Sequence, residues 1–443
     1  MIRVPTAARR TALVVAVFMA MLFASAAAAA AAPTPRDALR QALREVQALS
    51  PQASASAGPA SAAAALTRAT GRGLWINGRE ADAPPYGRNV FIASAAAVKY
   101  LEVGGPTAAI RLILVATRDL AEDAIAEANG AHAALIAMAN KALSVGNRDA
   151  HAGDPLAAVN SYAAAWQAAS DALGRIVAGE VTRVPSATLA AAAEQALAGT
   201  RFGIAGPMIE QSLPPLLAAA KPEVFYAGSE ACPFCGVQRW GMIVALSQFG
   251  TFSNLHLMQS VPTTPPQVTT FTFFGSSYHS PYVSFVPVEV WSNVPAHPGL
   301  VPLQTLTRPE AVLVHRFDPA VETPFIDIGN RFIVDSSTVD PQLIAHKSWR
   351  QLAGGLTDPS NISTQAIAGE AEVMTAEVCE ATGGNPQSVC SSAVVQQYEA
   401  ALGDFKSVEE TMRLTEQLTA RRSELEVRVA EWEELTAELE MAN

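Results

Sequence analysis

The pattern of apolar and polar residues changes character along the chain. Between residues 90 and 211, apolar side chains recur at the three- and four-residue spacing of helices, as at Ile110, Leu114, Ala121 and Ile125. From Lys221 onward, short strand-like runs occupy residues 223–226, 255–258, 268–274 and 282–291. Helical patterns are interleaved with them at residues 235–249 and 309–317. This order predicts an all-α domain over residues 90–211 and an α/β domain over residues 221–403.

Two further segments differ from the predicted domains in composition. Residues 33–89 are rich in alanine and proline, which predicts a linker, with a marginal helix as the alternative for the first part. Residues 404–443 are predicted to form a charged amphipathic helical tail, with a short heptad pattern at Leu418, Leu425, Trp432 and Leu439. Arg421 and Arg428 interrupt the neighbouring apolar positions, so packing on the same chain and self-association both remain open.

The first 32 residues have the pattern of an export signal. Arg3, Arg9 and Arg10 precede an uncharged stretch over residues 11–32, which begins apolar and ends in small residues. The stretch is also long enough to stay in the bilayer as a signal anchor. We therefore expect an exported protein, extracellular or in the cell envelope, with cleavage and membrane anchoring by residues 11–32 as alternatives.

Charge and cysteine content narrow the class of partner and the compartment. The formal net charge is -11, which disfavours nucleic acid because the phosphate backbone would repel such a surface. The chain has four cysteines, and an even number in an exported chain favours pairing. Their spacing favours Cys232 with Cys235 and Cys379 with Cys390.

The segment Cys232-Pro233-Phe234-Cys235 lies between a predicted strand and a predicted helix. At the start of a helix, unpaired backbone N–H groups and the positive end of the dipole stabilise a thiolate. Cys232 is therefore the predicted nucleophile, and Cys235, one turn later, is placed to resolve a mixed disulfide. This strand–loop–motif–helix order is that of a thioredoxin-type dithiol site.

A hairpin pattern further along supplies the second mark of such a site. Alternating apolar residues on both sides of Gly329-Asn330 predict two strands joined by a tight turn. In the thioredoxin fold, a cis-proline precedes such a strand and faces the cysteines. Pro324, with Thr323 before it, is the candidate.

The chain resembles a family of exported bacterial and archaeal proteins with a thioredoxin-like fold, the domain of unknown function 929. The resemblance, over about residues 221–403, lies in KPEVFYAGSEACPFCGVQRWGMIVALSQFG, TPFIDIGNRF and VCEATGGNPQSVC. It implies the fold and a redox role but no substrate. Residues 120–175 resemble, weakly, a helical hairpin common in secreted bacterial proteins, which implies no chemistry.

The site departs from better-known thioredoxins. No tryptophan precedes Cys232, and Tyr226 stands where those proteins often bury an acid that helps to deprotonate the second cysteine. Glu230 is close in sequence, but we expect it to face solvent. For Cys379 and Cys390, which flank a Gly-Gly-Asn-Pro turn, a structural disulfide is favoured over a second redox pair.

Two classes of function are compatible with these predictions. The first is a thiol–disulfide oxidoreductase that acts on exported clients with thiols or disulfides and exchanges electrons with an unidentified redox partner. The second is a non-catalytic binding or structural protein with a degenerate thioredoxin-like fold. A four-cysteine zinc site is disfavoured because one half has the wide spacing Cys379-x10-Cys390. We expect neither a metal nor a cofactor.

Overall fold

The computed structural model describes residues 33–49, 57–76, 79–84, 86–103, 105–199, 214–261, 266–295, 299–318, 323–334, 336–337 and 339–404. The predicted signal segment (1–32) and nearly all of the predicted tail (405–443) lie outside these residues. Among the described residues, no helix is long and apolar enough to cross a membrane.

The N-terminal region is entirely helical over its described residues apart from a short segment around Trp75. Its helices are α1 Pro35–Gln47, α2 Ala57–Ala69, α3 Arg88–Leu101, α4 Thr107–Glu127, α5 Ala133–His151, α6 Pro155–Val181 and α7 Ser186–Ala198. A 3-10 turn at Arg72–Leu74 follows α2. Asp154 caps α6 by accepting a hydrogen bond from the Ala157 amide at 2.9 Å.

Residues 33–89 are not the linker that their composition predicts. The helices α1 and α2 pack on α4 and α3, and they bury Leu39, Leu66 and Trp75 in the same core as Trp166. The indole of Trp75 donates to the Ala69 carbonyl at 2.8 Å. Helix α2 is mostly alanine, so its apolar periodicity is weak in the sequence. Helix α1 buries Leu39, Ala42 and Val46 and exposes charged residues, in agreement with the helix that is the alternative for this part of the segment.

The C-terminal part combines a mixed sheet with helices. The strands are β1 Leu217–Ala218, β2 Lys221–Ser229, β3 Thr251–Ser253, β4 His256–Gln259, β5 Thr269–Thr272, β6 Ser277–His279, β7 Ser284–Pro295, β8 Leu300–Pro302, β9 Phe325–Ile328 and β10 Phe332–Val334. The helices are α8 Pro233–Ser247, α9 Arg308–Phe317, α10 Trp349–Gly355, α11 Ile362–Ala381, α12 Gln387–Cys390 and α13 Ala393–Asp404, with a 3-10 turn at Pro341–Leu343.

The main sheet has the order β10-β9-β2-β7-β8, with β1 paired to β2. Strand β2 runs parallel to β7 and antiparallel to β9, with Val224 opposite Phe285 and Ala227 opposite Phe325. The strands β3 with β6 and β4 with β5 form two separate antiparallel pairs. The end of β2 that leads to the cysteines therefore lies between the start of β9 and the far end of β7.

Alternate residues of the sheet enter two cores. Val224, Tyr226 and Ile328 face the large core that contains residues of α8 and α11, whereas Phe225 and Ala227 pack with Val314 of α9. Residues of α6 and α7, including Val177 and Ala192, belong to the large core as well. The helical region and the sheet are thus packed against each other, so the change in composition near residue 221 does not mark a break in the core.

The predicted hairpin forms between β9 and β10. Gly329 and Asn330 have φ angles of 67° and 58°, the left-handed region that tight hairpin turns require. The Asn330 amide donates to Asp327 Oδ1 at 2.7 Å. The far end of α11 lies beside this turn, where Arg331 and Glu380 form an exposed ion pair at 3.0 Å.

Candidate redox site

Cys232 lies at the N-cap of α8, directly after the loop that leaves β2. Its backbone is extended, with φ -79° and ψ 125°, and its Sγ accepts a hydrogen bond from the Cys235 amide at 3.3 Å. Pro233 occupies the first helical position, where no amide hydrogen is needed. The predicted nucleophile is therefore held at a helix N-terminus, where a thiolate gains from the helix dipole and from the free N–H groups.

Thr323 and Pro324 lie next to this cysteine although they are distant in sequence. The Thr323–Pro324 peptide bond is cis. Cys232 Sγ is 3.4 Å from the Thr323 carbonyl oxygen, to which the protonated thiol can donate. The structure thus brings together the four residues that the sequence predicts for the site.

The two thiols have opposite environments. Cys235 is fully buried, and burial raises its pKa well above the ordinary value. Cys232 is only partly exposed, yet its pKa is lowered to about 6, mainly because the Cys235 thiol donates a hydrogen bond to it, with further help from the Cys235 amide, the Thr323 side chain and Arg239. Cys232 is therefore largely a thiolate at neutral pH, whereas Cys235 keeps its proton.

A buried ion pair lies beneath the cysteines. Arg239 Nε and Nη2 donate to Glu289 Oε1 and Oε2 at 2.9 and 2.7 Å, and both side chains are 0% exposed. Arg239 Nη2 also donates to the Ser229 carbonyl at 2.8 Å, which ties α8 to the end of β2. Sequence reasoning missed this pair, although each charge stands inside an apolar run, a sign of a buried partner of opposite charge.

Tyr226 occupies the position at which better-known thioredoxins often bury an acid. Its ring lies 5.9 Å from the Arg239 guanidinium carbon and makes an edge contact with Phe273. Burial raises its pKa far above the ordinary value, so it cannot act as a base at neutral pH. A side chain at Gly228 would place its Cβ 2.0 Å from the Tyr226 hydroxyl oxygen, so this glycine makes room for the phenol.

Glu230 does not face solvent, contrary to the prediction; it is only 4% exposed. Tyr86, from the loop before α3, reaches it across the chain, with its hydroxyl 3.5 Å from Glu230 Oε2. Burial is the main cause that raises the pKa of Glu230, and buried Asp82 nearby has its pKa raised well above the ordinary value for the same reason. The N-terminal helical region therefore supplies part of the wall around the site.

The second cysteine pair lies at the other end of the sheet. Cys379 and Cys390 form a disulfide with a Cα–Cα distance of 5.5 Å. Cys379 precedes Glu380, which contacts Arg331 beside the Gly329-Asn330 turn, and this turn is hydrogen-bonded to the start of β2. Cys232 follows the opposite end of β2. The seven residues from Glu223 to Ser229 span about 20 Å. Direct exchange between the pairs would need a large movement, and the disulfide leaves no thiolates there for zinc.

No group of three or more His, Cys, Asp or Glu side chains in the described part of the chain could hold a metal ion.

The large aromatic residues of the sheet lie mostly in its core. Phe273, Tyr278 and Phe285 pack with Phe252 in one cluster of rings. Phe274 and Trp291 are exposed instead, and Trp291 is the residue whose carbonyl accepts from the Glu230 amide.

Residues 208–297 match the family model described as domain of unknown function (DUF929). Over these residues, about a fifth of the 443-residue chain, the sequence is similar to the DUF929 family. No curated protein and no solved structure matches the chain. The matched DUF929 residues include both cysteines of the motif together with Arg239 and Glu289. The match ends before Thr323, Pro324, Cys379 and Cys390, so it is shorter than the resemblance over about residues 221–403.

Proposed function

We propose that this protein is a thiol–disulfide oxidoreductase of the cell envelope that acts on exported proteins. The observation that carries the proposal is the arrangement of the two thiols. Cys232 is partly exposed at the N-cap of α8, beside Thr323, and its pKa is lowered, whereas Cys235 is buried one turn later and its pKa is raised. A nucleophile that is ionised at neutral pH beside a protonated resolving thiol is the arrangement that exchange chemistry requires.

We infer that the C-terminal part has a thioredoxin-like fold. Support comes from the parallel unit β2–α8–β7, the motif at the start of α8, and the hairpin β9–β10, which follows Thr323–Pro324 and pairs with β2. The resemblance in sequence implies the same features in the same order, and Thr323–Pro324 lies beside Cys232.

The proposed reaction transfers two electrons from the dithiol to a client disulfide. The Cys232 thiolate attacks one client sulfur, an Sγ–S bond forms, and the other client sulfur leaves as a thiolate. Cys235 then loses its proton and attacks Cys232 Sγ, which closes the Cys232–Cys235 disulfide and releases the second client thiolate. The reverse sequence oxidises a client dithiol, and an unidentified redox partner restores the starting state.

Export is part of the proposal. The disulfide between Cys379 and Cys390 favours an oxidising compartment, since such bonds are rare where glutathione and thioredoxin keep thiols reduced. Residues 1–32, with their charged start and apolar stretch, would direct export and either be removed or remain as an anchor.

The test uses the full-length protein, because helices of the N-terminal region share a core with the sheet. Insulin reduction and refolding of a scrambled disulfide substrate are measured for the wild type and for Cys232→Ser. A Cys379→Ala, Cys390→Ala double variant controls for loss of cysteine as such and should keep activity. Wild-type turnover no better than that of Cys232→Ser would favour the alternative, a non-catalytic binding or structural protein.

Clients can be named by trapping. In Cys235→Ser, the second attack is blocked, so mixed disulfides at Cys232 should accumulate in the native envelope. Mass spectrometry of the trapped proteins would name the client class, and the double variant with both Cys232→Ser and Cys235→Ser is the control. Equal recovery from both variants would count against redox catalysis.

A further inference from the structure

The buried resolving cysteine poses a chemical problem that the motif alone does not solve. Cys235 is fully buried and its pKa is raised, yet it must become a thiolate before it can attack the mixed disulfide. Tyr226 stands at the position of the acid that performs this task in better-known thioredoxins, and it stays protonated. A different group has to make the Cys235 thiolate accessible.

Arg239 is the group that the fold places there. It follows Cys235 by four residues on α8, so the two side chains occupy one face of the helix with their Cβ atoms about 6 Å apart. Its charge lowers the pKa of both cysteines. Among the described residues its Nη1 is buried without a hydrogen-bond partner, while its other nitrogens hold Glu289 and Ser229.

Glu289 fixes the position of this charge. It accepts two hydrogen bonds from Arg239 and a third from the Phe273 amide at 3.3 Å, and its own backbone amide donates to the Gln304 side chain. A guanidinium cannot deprotonate within the fold and is never a base. It can only stabilise a negative charge nearby, and Glu289 limits that effect because it compensates part of the positive charge.

We propose that Arg239 is the positioning residue of the resolving step, in which its guanidinium stabilises the Cys235 thiolate that attacks Cys232 Sγ, with Glu289 setting the strength of the effect. This inference rests on the proposed function. When the client disulfide is the oxidant, the Cys235 proton passes to solvent or to the departing client thiolate, and the two electrons of the dithiol pass to the client. The charge at Cys235 disappears as the Cys232–Cys235 bond forms.

A chromogenic aromatic disulfide separates the two steps in the full-length reduced protein. Attack by Cys232 releases one coloured thiolate in a phase that depends on probe concentration, and attack by Cys235 releases a second in a phase that does not. The variants are Arg239→Met, Arg239→Lys and Glu289→Gln. Arg331→Met is the matched control because it removes one charge of an exposed ion pair, at the other end of the sheet.

We expect the concentration-independent phase to slow in Arg239→Met and to accelerate in Glu289→Gln. The thiolate fraction falls about tenfold per unit of pKa, but a more basic thiolate is a better nucleophile, so the net change is about three- to fourfold per unit. Arg239→Lys keeps the charge and should retain most of the rate. The first phase and the control variant should change little.

If Arg239 had a merely structural role, Arg239→Met and Glu289→Gln would not change the rate of the concentration-independent phase in opposite directions. Slowing of both phases to the same extent in Arg239→Met and Glu289→Gln would overturn the inference, and so would no change in either variant. If Arg239→Met does not fold, the acceleration in Glu289→Gln decides. A wild-type protein that releases no second thiolate refutes the proposed function itself, which distinguishes that failure from a failure of Arg239.

Discussion

The pKa of Cys232 depends on a hydrogen bond that one substitution removes. The thiol of Cys235 donates to Cys232, and this contact is the largest cause of the lowered pKa. Cys235→Ala removes the donor but keeps the backbone amide that also contacts Cys232 Sγ at 3.3 Å. Cys235→Ser keeps a donor of similar shape. We therefore expect the pKa of Cys232 to rise in Cys235→Ala and to stay near the wild-type value in Cys235→Ser.

The size of the change follows from the strength of the bond. A hydrogen bond to a charged group contributes about 1.5–3 kcal/mol, which corresponds to about one to two pKa units. The wild-type pKa of about 6 would then move to about 7 or 8 in Cys235→Ala. At neutral pH, the thiolate fraction would fall from about nine tenths to between about one half and one tenth.

The reaction rate at a single pH is a poor measure of this change. A thiolate of higher pKa is intrinsically more nucleophilic, by about three- to eightfold for a rise of one to two units. This gain nearly cancels the smaller thiolate fraction at neutral pH. The informative quantity is the pH midpoint of alkylation by iodoacetamide, checked by the ultraviolet absorbance of the thiolate.

Both variants leave Cys232 as the one free cysteine of the chain, since Cys379 and Cys390 are bonded to each other. Each variant combined with Cys232→Ser, which leaves no free cysteine, provides the blank for its titration. Equal midpoints for Cys235→Ala and Cys235→Ser would refute the contribution of the Cys235 hydrogen bond. A wild-type midpoint near the ordinary thiol value of about 8.5 would refute the lowered pKa itself.

Three further predictions concern the potential, the disulfide and a buried carboxyl. The pKa of about 6 for Cys232 lies closer to the value of about 7 in reducing thioredoxins than to the value of about 3.5 in strongly oxidising proteins of this fold. At about 30 mV per pKa unit, we expect a reduction potential near -240 mV in glutathione buffers. A measured potential near -120 mV would contradict this. Cys379→Ala with Cys390→Ala should lower the free energy of unfolding by about 2–3 kcal/mol in denaturant titrations, with Cys232 alkylation unchanged. Burial raises the pKa of Glu372 from 4.5 to about 7, so its protonated form adds stability that is fully present below 4.5 and is lost as pH rises through about 7. The loss is at most about 3 kcal/mol, and Glu372→Gln should remove that slope from stability measured across the same pH range.

The parts of the fold that the sequence predicted share one property: their signal is local. The strand runs, the helix after the motif and the Gly329-Asn330 turn each depend on residues that are neighbours in sequence. In residues 33–89 the sequence predicted a linker, with a helix only as the alternative for the first part, and in α2 alanine gives little contrast between the buried and exposed faces. The positions of α1 and α2 depend on contacts such as that of Arg36, which donates to the Thr70 carbonyl at 2.9 Å.

The electrostatic part of the site could not be predicted in the same way, because it depends on distant contacts. Tyr86 and Glu230 are 144 residues apart, and Arg239 and Glu289 are 50 apart. From its sequence position alone, Glu230 is a polar residue of a loop, which is normally solvated. Tyr86 of the helical region contacts it, and burial raises the pKa of this carboxyl, which stands two residues before Cys232. Asp82 and Tyr86 of the helical region thus belong to the surroundings of Glu230, and a prediction from the sequence of the loop alone cannot include them.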